Sequence, residues 1–79
     1  MSLAFEITRE DVETVCINNG TTPNDAPTPQ EWEEFINECM DVLDFDLIES
    51  SALCGDDMDD QVAYAYEEIT SQLIDKGLI

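Results

Sequence analysis

Seventy-nine residues leave room for one modest domain, because a chain of this length buries only somewhat more than ~60% of the surface it exposes when unfolded. Apolar residues make up 43% of it, with one Trp, two Tyr and three Phe, which separates it from disordered acidic tails. Twenty Asp and Glu face two basic residues, Arg9 and Lys76, for a formal charge of -18, so salt bridges cannot hold the fold together and nucleic acid or an anionic membrane is excluded as a direct partner. A basic protein surface or a divalent cation remains.

The N-terminus, Met1-Ser2-Leu3-Ala4-Phe5-Glu6, has no basic region and no long apolar run, and no later segment approaches the ~20 apolar residues that span a bilayer. A cytoplasmic location is therefore expected. Leu3 to Ile7 alternates weakly, as a short extended segment would, although one lone strand makes no sheet. The first helix is expected over residues 9–18. Thr8 is its N-cap with Asp11 three residues on, Ile7 and Val12 are placed as a hydrophobic staple, Val12, Val15 and Cys16 form its apolar side, and Asn18-Asn19-Gly20 supplies a left-handed stop.

Thr21 to Pro27 is polar and proline-rich and reads as an ordered surface loop. Thr28-Pro29-Gln30-Glu31 then combines a capping box with Pro at the first helical position. Trp32, Phe35, Ile36, Cys39, Val42 and Leu43 follow at helical spacing, within a stripe about 120° wide at ~100° per residue, which predicts a helix over 29–43. A short helix is expected over 46–54, with Leu47, Ile48, Ala52 and Leu53 apolar, Asp44 or Asp46 as cap and Gly55 as stop. A final helix over 57–76 opens at Asp56 or Asp57 and carries Met58, Val62, Ala65, Tyr66, Ile69 and Leu73 on one face. Lys76 suits its negative end, and Gly77 followed by Leu78 suits a Schellman close. The expected fold is all-α: a bundle of about four helices in one acidic domain, residues 1–79.

Cys16, Cys39 and Cys54 are odd in number and lack C-x-x-C spacing, so they are expected as buried thiols rather than as a disulfide framework or zinc site. Catalysis needs a nucleophile, an acid–base pair or a metal in a defined constellation, and the chain has no His, so no enzyme and no cofactor are expected. Asp44, Asp46 and Glu49, or Gly55-Asp56-Asp57-Met58-Asp59-Asp60, crowd hard oxygen ligands, but neither matches a twelve-residue EF-hand loop, and no dedicated metal site is expected.

The carboxylates fall in two ridges. In the second helix Glu31, Glu34, Glu38 and Asp41 project about 140° from the Trp32 stripe. In the last helix Asp57, Asp60, Glu67, Glu68 and Asp75 lie opposite Val62, Ile69 and Leu73. Every amphipathic helix needs a polar outer face, but a merely soluble one mixes Lys with Glu, because opposite charges at i,i+4 stabilise by a few tenths of a kcal/mol and like charges destabilise by as much. Glu34 with Glu38, and Glu38 with Asp41, are like pairs. Adaptation to high salt also produces acidic surfaces poor in Lys, yet three Cys and seven Ile fit it badly. These nine carboxylates are thus the candidate partner-binding residues.

Carboxylates one helical turn apart sit ~6 Å from each other, similar to the spacing of neighbouring phosphates on one nucleic-acid strand. In size, charge, helicity and these ridges, with Tyr64 and Tyr66 among them, the chain resembles the small acidic DNA-mimic inhibitors of phages and mobile elements, the antirestriction and anti-CRISPR proteins. Those inhibitors share no motif or fold. The resemblance implies a stoichiometric inhibitor in the host cytoplasm that occupies the basic nucleic-acid groove of a defence or DNA-processing protein. An acidic adaptor or antitoxin-like module acting away from a nucleic-acid site is the alternative. An acyl carrier protein matches in gross shape, but its Asp-Ser-Leu attachment motif is absent, and Glu49-Ser50-Ser51-Ala52-Leu53 offers no substitute.

Overall fold

The computed structural model describes residues 6–25 and 28–79. Leu3, Ala4 and Phe5 of the alternating N-terminal segment, and Ala26 and Pro27 of the loop, lie outside the described residues. Four α-helices and no strand are found among those described: α1 (Arg9–Asn18), α2 (Pro29–Val42), α3 (Phe45–Ala52) and α4 (Met58–Asp75), with a 3-10 turn at Pro23–Asp25. The all-α bundle expected from the sequence is the observed fold.

Local chemistry sets the helix ends. At α1 the Thr8 N–H donates to Asp11 Oδ2 at 2.8 Å, and Gly20, at φ 90°, lets the Thr21 N–H reach back to Cys16 O at 2.9 Å. Asp25 holds the following loop by accepting from the Thr22 N–H at 2.8 Å. Thr28 Oγ1 accepts from the Glu31 N–H at 3.1 Å, with Pro29 opening α2. Asp44 caps α3 through the Leu47 N–H, Asp57 caps α4 through the Asp60 N–H, and Gly77, at φ 75°, closes α4 with Leu78 N–H donating to Leu73 O.

Several helix ends differ from expectation: α2 ends at Val42 rather than at 43, and α4 runs Met58–Asp75 rather than 57–76, with Leu43, Asp57 and Lys76 as the flanking caps. The third helix begins one residue earlier and ends two earlier than 46–54. Its cap is Asp44 rather than Asp46, because the Gln72 amide fixes the Asp44 backbone from across the fold: the Asp44 N–H donates to Gln72 Oε1 at 2.7 Å, and Gln72 Nε2 donates to Asp44 O at 3.3 Å. Gly55 is not a left-handed stop. A Cβ there would stand 2.6 Å from Gln61 N and 2.8 Å from Asp60 C, so glycine is required where the start of α4 crosses close to the chain.

α4 is the hub of the packing, lying most extensively against α3 and also against α1, which in turn carries α2. One apolar cluster draws on all four helices: Val12, Val15 and Cys16 from α1, Trp32, Ile36 and Cys39 from α2, Ile48 and Ala52 from α3, and Ala65, Ile69 and Leu73 from α4, with Leu43 in the turn. Ile7, the staple residue, packs on its edge. Leu47 and Met58, expected on apolar faces, are instead 49% and 53% exposed, both in the first turns of their helices. The described residues form a body of 40 × 19 × 17 Å.

Candidate functional site

The inward stripe of Trp32, Ile36 and Cys39 fixes the rotation of α2, and the carboxylates of Glu31, Glu34, Glu38 and Asp41 consequently all stand exposed on its outer side. Arg9 reaches α2 from α1, but on another edge. Its Nη1 donates to Asn37 Oδ1, its Nη2 donates to Glu33 O at 3.3 Å, and it stands 4.0 Å from the Glu33 carboxylate. Among the described residues that is the only ion pair, and no cation comes within 4.0 Å of Glu31, Glu34, Glu38 or Asp41.

The carboxylates of α4 do not form one uniform line. Asp57 is exposed but spends one oxygen on the helix cap, with Oδ1 accepting from the Asp60 N–H at 2.9 Å, and Asp60 itself is exposed. Exposed Glu67 and half-buried Glu68 turn toward α3 and line an open groove of about 350 Å³ with Ser51, Cys54, Tyr64 and Ser71. Asp75 is exposed beside Lys76 in a second groove, about 290 Å³, over Val42 and Leu47. The two tyrosines grouped with the ridges also part company. Tyr64 is 42% exposed, whereas Tyr66 is half-buried with its hydroxyl donating to Asp11 Oδ1 at 2.6 Å.

Two further carboxylates have structural duties that no spacing reveals. Asp11 holds Thr8 with one oxygen and Tyr66 with the other, and Glu13 Oε1 accepts from the Trp32 indole N–H at 3.1 Å. Burial and the Asp11 carboxylate push the Tyr66 hydroxyl up to about 12. Ser51, Cys54 and Ser71 line the groove without being among the partner-binding candidates of the sequence, although Tyr64, Glu68 and Ser71 do recur at the i, i+4, i+7 spacing of one helix side.

Cys16 and Cys39 are buried as expected, but Cys54 is exposed, because α3 ends at Ala52 and leaves it beyond the core. Burial raises the Cys16 thiol, and burial together with the neighbouring Cys16 pushes Cys39 up to about 12, so both are held as neutral apolar groups rather than as nucleophiles. Among the described residues no group of three or more His, Cys, Asp or Glu is arranged to hold a metal ion. Two of the crowded aspartates, Asp44 and Asp57, are occupied as helix caps. No described helix is long and apolar enough to cross a membrane. Carboxylates dominate the exposed surface, with twenty Asp and Glu against two basic residues in the chain.

No family model matches the chain, and no curated protein or solved structure matches it.

Proposed function

We propose that the protein is a non-enzymatic, stoichiometric inhibitor that mimics nucleic acid and occupies the basic nucleic-acid groove of a host defence or DNA-processing protein, in the manner of antirestriction or anti-CRISPR proteins. The observation that carries this reading is charge density. Eighteen net negative charges along 40 Å amount to one per about 2.2 Å, close to the one per about 1.7 Å of duplex DNA. The body is narrow, 19 × 17 Å in section, so a groove that wraps it meets carboxylates from several helices at once. The α2 row of Glu31, Glu34, Glu38 and Asp41, free of nearby cations, is the part best suited to replace a phosphate strand. The α4 carboxylates Asp57, Asp60, Glu67, Glu68 and Asp75 extend the negative surface. An acidic surface of this kind steers an oppositely charged, basic partner into rapid encounter.

The experiment is charge reversal. Changing Glu34, Glu38 and Asp41 together to Lys should abolish inhibition of the partner while leaving helical content intact, since all three are exposed. The same change at Asp60, Glu67 and Glu68 ranks the second surface against the first. Undiminished inhibition by both triple variants contradicts the reading, and would direct attention to an adaptor or antitoxin-like role away from a nucleic-acid site.

A further inference from the structure

We propose that the groove between α3 and α4 is an arginine pocket, taking a guanidinium from the basic partner in preference to a lysine ammonium. This deepens the reading of the protein as a ligand for a basic surface, and assigns to one place a chemistry that charge density alone does not distinguish.

The groove differs from the α2 row in being an open depression between two helices with an aromatic side. At about 350 Å³ it holds on the order of ten waters at ~30 Å³ each, enough for a planar head group and part of its stem. The aromatic side is Tyr64, 42% exposed on a helix whose other aromatic, Tyr66, is committed to Asp11. Glu67 and Glu68 supply two carboxylates at adjacent positions, Glu67 exposed and Glu68 half-buried. Ser51 from α3 and Ser71 from α4 add hydroxyl acceptors, and none of these five side chains is engaged in a hydrogen bond among the described residues.

Guanidinium and ammonium respond differently to such a setting. The guanidinium presents five donors in a fixed plane, pairs with carboxylates bidentately, sheds water more readily and stacks on an aromatic ring. An ammonium is a compact, strongly hydrated point charge that gains little from a ring beside a carboxylate pair. The stacking contribution at an exposed site corresponds to about a two- to fivefold preference for arginine.

The test is a titration of the full chain, isotopically labelled for amide NMR, with blocked tetra-arginine and tetra-lysine peptides at low salt. Shifts concentrated at Ser51, Cys54, Tyr64, Glu68 and Ser71, with the two- to fivefold arginine preference, are expected. Tyr64→Leu should remove the preference and Tyr64→Phe should keep it, both with unaltered helical signal. Shifts spread evenly over α2 and α4, equal affinity for the two peptides, or a preference that survives Tyr64→Leu would each overturn the assignment. The outcome is separable from the mimic reading: a partner that binds this protein and nucleic acid independently defeats mimicry and leaves the arginine preference standing, whereas equal binding of the two peptides defeats only the pocket.

Discussion

The Tyr66 hydroxyl donates a 2.6 Å hydrogen bond to Asp11 Oδ1, joining α4 to the first turn of α1 across 55 residues of sequence. Asp11 receives the Thr8 N–H on its other oxygen, so one carboxylate both caps a helix and fastens it to the hub of the bundle.

Removing that hydroxyl should be felt in both stability and pH dependence. Tyr66→Phe keeps the ring and deletes the bond to a charged acceptor, an expected loss of about 1–2 kcal/mol and roughly 5–10 °C in melting temperature. The folded-state hydroxyl is raised from 10.0 to about 12, so its contribution is fully present below pH 10 and is lost as pH climbs through 12. Absorbance titration in a Tyr64→Phe background should give a midpoint near 12. A midpoint near 10 with unchanged unfolding in Tyr66→Phe would show that the bond contributes nothing.

Trp32 anchors α2 at 8% exposure, with its indole N–H on Glu13. Trp32→Ala should cost about 3–5 kcal/mol, which approaches the whole stability of a small domain. Trp32→Phe retains most of the packing and loses the bond, so its cost should be nearer 1–2 kcal/mol. Chemical denaturation of both variants checks this. Equal and negligible losses would place Trp32 on the surface.

With one ion pair among the described residues against a charge of -18, self-repulsion is largely uncompensated. Raising NaCl from about 20 mM to about 1 M shortens the screening length to ~3 Å and should raise the melting temperature. A scan with no change, or a decrease, would mean that the carboxylates do not repel one another appreciably.

Much of the architecture was legible because it is locally encoded. Thr8 with Asp11, Thr28 with Pro29, and Gly77 with Leu78 state their helix ends within four residues, and the Trp32 stripe states which side of α2 is buried. What was not legible depends on distant partners. The choice of Asp44 over Asp46 is made by Gln72, the need for Gly55 by the backbone at Asp60 and Gln61, and the roles of Asp11 and Glu13 by aromatic groups on other helices. The candidate surface divides in the same way. Helical periodicity suffices to place Glu34, Glu38 and Asp41 outward, but the turning of Glu68 into a groove with Tyr64 follows only from where α3 lies.

Whether this surface stands in for nucleic acid is decided by a competition titration on the partner isolated from the host. DNA or RNA and this protein should exclude one another from that partner, and binding should weaken steeply as salt rises, because both would neutralise the same basic groove. Simultaneous, independent binding of the protein and nucleic acid to that partner would contradict mimicry.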